Sequence, residues 1–248
     1  VLLQENFDKV DEKGFAAKAL LHPKIELVKG VGPDGSNAIR VAYVGYERGS
    51  ERVVLRYPLS SAVNEATLSF DVKFAKDFQW VLGGKLHGLG PKHPVTGGKA
   101  RRPDGWSARI MFMPEGRCRT YLYDQDKMKK WGVGEATAQP VFTAGQWHHV
   151  VLQVSLNSPG ELNGFARIFV DGKVVMVTEN VVFRGVGGSD TKIQQFLFST
   201  FHGGSSPKWA PRDRQGDPMT VYAYFDNFLV IKGIHENNIG QSNPRFKP

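Results

Sequence analysis

The 248-residue sequence predicts an all-β protein, a two-sheet antiparallel sandwich of the jelly-roll type. Three observations carry that expectation. Apolar residues recur in short runs rich in Val, Ile, Phe and Tyr, alternating with period two rather than 3.6. Turn signals separate those runs, among them Asp171-Gly172 before KVVMV, a two-residue hairpin signal. Helical character is confined to AAKALL near the start and parts of 124–131. With no internal repeat, low-complexity run or linker, one domain is expected over 1–248, with about 1–10 and 235–248 as peripheral termini.

Taken in order, NAIRVAYVGY and RVVLRYPL are strands separated by the turn-like ERGSE. ATLSFDVKF alternates cleanly: Leu68, Phe70, Val72 and Phe74 share one face, and Ser69, Asp71 and Lys73 the other. It reads as a half-buried antiparallel strand. QWVLGGKL, WSARIMFM and RTYLY are three further strands joined by polar, Gly- and Pro-rich connections. The polar segment DQDKMKKWGVGEATAQP reads as a loop and a candidate flap. HHVVLQVSLN and GFARIFV follow, then IQQFLFSTF and VYAYFDNFLVIK as the last long strands, and the tail IGQSNPRFKP is expected to be unstructured.

Composition narrows the partners. Hydrophobic residues at 41% and charged residues at 23% are ordinary for a globular protein. The net charge of +8, from 32 Lys+Arg against 24 Asp+Glu, favours an acidic partner: nucleic acid, an anionic membrane surface or a polyanionic glycan. The lone Cys118 excludes a disulfide framework and a multi-cysteine metal site. No apolar run approaches the ~18 residues that span a bilayer. The chain opens at Val1 rather than Met, which reads as a processed or trimmed end and leaves export open.

Side chains two apart on a strand share a face, so Ser107, Arg109 and Met111 point one way, as do Tyr121 and Tyr123. Lys85 ends its own strand after Gly83-Gly84. If these strands pair, one sheet face carries Lys85, Ser107, Arg109, Tyr121 and Tyr123, a poor core and a good anion site. Arg101 and Arg102, with Lys92 and Lys99, would hold a polyanion further along a cleft; Arg52 and Arg56 share a strand face and are weaker candidates for that role. Ser199–Pro211, STFHGGSSPKWAP, reads either as a rigid surface connection or as a cleft edge where His202, Ser205 or Trp209 touches ligand.

These residues resemble the active-site pattern of polysaccharide lyase family 14, the alginate and glucuronan lyases. The pattern is Lys85, then Ser107-x-Arg109, then Tyr121-x-Tyr123. GGKL at 83–86, DGWSAR at 104–109, FHGGSSPKWAP and YFDNF are similar to the same family, and the likeness spans roughly residues 65–230. In place of a Gly-rich KLPGLxGG-like turn this chain carries KLHGLGPKHPVTGG, which puts His87, a substrate-binding candidate, where proline is expected and lengthens the loop, so subsite shape is expected to differ. The resemblance implies a concanavalin-like sandwich with a concave cleft and β-elimination on a 1,4-linked polyuronate.

The residue types suit that chemistry. The C5 proton lies α to a carboxylate whose charge must be neutralised before an enolate-like intermediate can form. Arg109 is the natural clamp, its planar fork matching a carboxylate, and Ser107 adds a neutral hydrogen bond. Lys85 serves as base if Arg109 and burial lower its pKa, or else as a second neutraliser. Tyr121 or Tyr123 protonates the departing O4, with Tyr123 preferred; a phenolate would equally serve as base, and on mannuronate, where the C5 hydrogen and O4 leave from the same side, one tyrosine could fill both roles. The scheme needs no cofactor and no metal. His148 and His149 face opposite sides of a strand, and His87 and His93 lack a carboxylate at ligand spacing.

Each signal alone has a plainer reading: a Tyr-x-Tyr pair usually packs across strands, and Ser-x-Arg usually faces solvent. Their joint spacing favours a lyase. Two other classes stay open, a non-catalytic acidic-glycan-binding module and a glycoside hydrolase, the latter needing two cleft carboxylates where the strands offer only Asp71. Nucleic acid is not expected as a partner, because no recognised motif accompanies the charge. The expected substrate is alginate with mannuronate preference, then glucuronan. Action is expected to be endolytic, the protein a monomer free of membrane, and its location secreted or periplasmic.

Overall fold

The computed structural model describes residues 1–235. The strands are β1 (Leu3–Glu5), β2 (Ile25–Val28), β3 (Ala38–Tyr46), β4 (Gly49–Ser50), β5 (Val53–Val63), β6 (Glu65–Phe74), β7 (Gly84–Gly90), β8 (Ser107–Phe112), β9 (Cys118–Tyr123), β10 (Trp147–Ser155), β11 (Gly164–Val170), β12 (Lys173–Val181), β13 (Ile193–His202) and β14 (Thr220–Lys232), with one α-helix, α1 (Phe15–Leu20). One sheet runs β12-β11-β10-β6-β14-β3-β2, with β1 added to β14 and β4 to β3. The other runs β5-β13-β7-β8-β9. Every pairing is antiparallel, and the two sheets stack as a β-jelly-roll sandwich.

Alternation builds both the core and the site. On β13, Phe196 and Phe198 point between the sheets, while Leu197, Ser199 and Phe201 line the outer face. On β6, Leu68, Phe70, Val72 and Phe74 are fully buried. Each such Phe contributes about 1.5–3 kcal/mol by leaving water. The opposite face of β6 is less open than its polar residues suggest, because β6 lies between β10 and β14. There Asp71 is buried, 2.7 Å from His149 Nδ1 and accepting a 2.7 Å bond from Asn227 Nδ2. Asp171 and Gly172 turn β11 into β12 with φ of 50° and 76°, the left-handed pair that a two-residue hairpin requires.

Several expectations change. Residues 1–10 are not peripheral: β1 pairs with β14, and Phe7 is fully buried against Phe15 and Phe228. Residues 124–131 carry no helix. The strand expected over QWVLGGKL starts only at Gly84 and runs through the segment expected as a loop. The tail IGQSNPRFKP lies outside the described residues.

Candidate active site

The outer face of the five-stranded sheet carries a cleft of about 500 Å³. Strand register assembles it: Ser107 lies opposite Tyr123, Arg109 opposite Tyr121, and Lys85 opposite Met111. Gly88 faces Arg109, and a Cβ there would lie 2.0 Å from Ala108 O and 2.7 Å from Arg109 Cγ. Only glycine lets β7 run so close beneath the arginine stem.

Lys85 is 8% exposed, its Nζ 3.0 Å from Met111 Sδ and 3.6 Å from the centroid of the Tyr121 ring. Burial holds its pKa well below the ordinary lysine value, and the charges of Arg109, Arg119 and Arg52 push it lower still. Arg109 is 5% exposed and its Nε has no hydrogen-bond partner. Burial lowers its pKa, yet a guanidinium remains charged. No carboxylate lines the cleft, and no salt bridge among the described residues involves Arg52, Arg56, Lys85, Arg109 or Arg119. Four guanidinium groups thus meet around Lys85 without an internal counter-ion, an arrangement suited to an anionic ligand.

The Tyr121 hydroxyl is pushed up to about 12, first by burial and then by the neighbouring Tyr123 hydroxyl, while the Gly132 amide and Arg109 pull it back. It is a proton donor at neutral pH. A strap of two loops holds it. Gly98 N donates a 2.8 Å bond to the Tyr123 hydroxyl, Arg101 lies 4.2 Å over the Tyr123 ring, and Arg101 Nη2 donates to Trp131 O at 3.0 Å. Next to Trp131, Gly132 rests on Tyr121 so closely that a Cβ would lie 2.9 Å from Cε1, Cε2 and Cζ of the ring.

Of the residues expected from sequence, Lys85, Arg109, Tyr121, Met111, Ser205, Trp209 and Arg52 line this cleft. Tyr123 and Ser107 lie behind it, both fully buried, and the Ser107 hydroxyl donates to Val95 O at 2.8 Å, so it holds the adjoining loop. Arg101 serves the strap. Arg102 lines a smaller adjoining pocket, donates to His93 O and pairs with Asp104 at 3.3 Å. Two expectations are overturned. His87 does not reach the cleft: it is fully buried between the sheets, stacked on Phe198 at 4.3 Å and accepting from Ser199 N. Its parity matches that of Lys85, but pairing of β7 with β8 shifts register between Lys85 and Gly88, which turns the ring inward. His202 is buried too, stacked on Phe78 with Nε2 2.7 Å from Gln79 O, because β13 extends to that residue and its alternate side chain faces the core.

Sequence reasoning missed Arg119, Trp131 and Gly132. Arg119 was readable, since it sits two residues before Tyr121 on the same strand face. The other two sit in a loop with no periodicity to follow.

The polysaccharide lyase 14 family model matches residues 44–228. No curated protein sequence matches the chain. Among solved structures, a mutant of the alginate lyase Aly36B in complex with alginate tetrasaccharide has a TM-score of 0.73 at 22% identity, over 94% of this chain and 98% of that one. The marine PL-14 alginate lyase from Aplysia kurodai scores 0.67 at 21% identity, over 93% and 98%. The endo-β-1,4-glucuronan lyase of the fungus Trichoderma reesei scores 0.59 at 17% identity, over 93% and 94%. At such identities these likenesses speak for the fold, while the family match spans every residue of the cationic cleft from Arg52 to Trp209. The chain belongs to the polysaccharide lyase 14 family.

Proposed function

We propose that the protein cleaves alginate endolytically by β-elimination, preferring mannuronate. The observation that carries this reading is the buried, depressed Lys85 amine against the Tyr121 ring, in a cleft with four arginines and no carboxylate. Arg109 neutralises the uronate carboxylate at the reacting sugar. Neutral Lys85 takes the C5 proton, the electron pair forms the C4=C5 bond, and the C4–O4 bond breaks. Tyr121 gives its proton to O4. Lys85, now an ammonium facing the tyrosinate 3.6 Å from its ring centre, returns the proton, and the site is reset. Tyr121 is preferred over Tyr123 because it lines the cleft, whereas Tyr123 is fully buried beneath Gly98 and Arg101.

Endolytic action is supported by the spread of cations from Arg52 and Arg56 beside one sheet edge to Arg119 on the other edge strand. A polymer with one carboxylate per sugar matches such a track. The absence of acidic residues from the cleft lining disfavours a glycoside hydrolase. A substrate polymer too large to import supports a place of action outside the cytoplasm, secreted or periplasmic. The test is ultraviolet absorbance of unsaturated uronate after mixing with poly-mannuronate, poly-guluronate, glucuronan and a neutral glucan. Poly-mannuronate is expected to react fastest. A response confined to glucuronan would reassign the substrate, and silence on all would leave a binding protein.

A further inference from the structure

Beside the main cleft lies a second pocket of about 240 Å³. Arg56, His93, Lys99 and Arg102 surround it over a buried floor of Pro94 and Val95. The floor is fixed: Val95 N donates to Trp106 O at 3.3 Å, and Val95 O accepts the Ser107 hydroxyl. Arg56 lines both cavities, and it stands close enough to Arg109 for its charge to oppose the Arg109 charge. The cationic track therefore leaves the reacting sugar at Arg109, passes Arg56 and enters the second pocket. Within that pocket Arg102 is partly neutralised by Asp104, a half-exposed and well-screened pair. Arg56 and Lys99 have no carboxylate partner among the described residues.

We propose that this pocket is a distal subsite for a uronate carboxylate of the same polymer chain, so that the enzyme selects long chains over short ones. The inference rests on the polyuronate reading and adds a site to it. An anionic polymer repeats its charge at every sugar, so a chain seated at Arg109 offers further carboxylates to any cation along its path. A disaccharide seated at Arg109 carries only one further carboxylate, on the adjacent sugar, so it depends on Lys99 less than a polymer does.

Lys99→Glu reverses charge in the pocket without removing a side-chain bond that holds the loop. Calorimetric titrations of Lys85→Ala protein, with and without Lys99→Glu, would use poly-mannuronate and its disaccharide. The added change is expected to weaken polymer binding about five-fold or more and disaccharide binding by less than about two-fold. An equal loss on both ligands, or none on the polymer, overturns the distal subsite. Arg102→Gln, which removes another of the pocket's cations, is expected to reproduce the chain-length-dependent loss. Near-ultraviolet circular dichroism checks that each variant is folded. Wild-type protein that binds polymer with this length dependence yet releases no unsaturated product would sink the lyase chemistry and keep the subsite.

Discussion

Lys85 takes its chemistry from its neighbours. Its amine touches a thioether and a ring face, three arginines surround it, and burial strips its water, so each influence disfavours the ammonium. Arg119 is one of those influences as well as one end of the cationic track, so its effect on Lys85 is read from the position of the pH limb rather than from the rate alone. Arg119→Ala removes a cation that lowers the Lys85 pKa, so that pKa rises and a larger share of Lys85 is protonated at a given pH. The acidic limb of kcat/KM against pH is then expected to move to higher pH; an unmoved limb would mean that Lys85 does not set it. At this scale the alternation rule was a good guide wherever pairing is regular: it put Lys85, Arg109, Met111 and Tyr121 on one face, and it reaches Arg119 as well. It failed at His87 because a register shift lies between Lys85 and Gly88, and such a shift has no signature in the sequence.

Among the elements, the strap over β9 has the clearest consequence. Arg101 ties the Trp131 carbonyl to the roof of Tyr123, and this seats Gly132 on the phenol of Tyr121. A methyl group at Gly132 would collide with three ring atoms, so Gly132→Ala must shift either the loop or the ring. We expect kcat to fall by up to about 100-fold with KM little changed, since misplacing a reacting group by ~1 Å costs about that much. The melting temperature should move little, because the loop carries few core residues. Unchanged kcat would show that the strap does not position Tyr121. The strands themselves were legible from period-two runs and turn residues. The strap was not, because residues 98, 101, 131 and 132 meet only through tertiary structure. The strand at Gly84–Gly90 was hidden for a related reason, its glycines and histidine reading as loop.

For the whole molecule, the sandwich buries groups whose titration couples to stability. Burial holds His202 at about 4 and His87 well below its ordinary 6.5, and it pushes Asp226 up to about 7. As pH drops from about 6.5 the unfolded chain binds histidine protons that the fold excludes at His202 and His87, and the depressed Lys85 acts in the same sense, whereas the fold keeps an Asp226 proton that the unfolded chain releases. The excluded protons outnumber the retained one, so stability falls as pH drops through that window. Urea midpoints should fall with pH there, and a flat or opposite trend would contradict the burial of both histidines. The two-sheet architecture was readable from composition and alternation, but the inward placement of His87 and His202 was not. Both occupy strands whose extent is set by cross-strand partners rather than by their own sequence.

The most direct test of the central claim is the initial rate of unsaturated uronate formation from poly-mannuronate by Lys85→Ala, beside wild type at the same pH. With the fold intact by circular dichroism and polymer binding retained, the rate is expected to fall by about 100-fold or more, the usual loss for a general base. A variant that keeps most of its rate would show that the C5 proton goes elsewhere, and Lys85 would be left as a charge in the cleft rather than the base of the reaction.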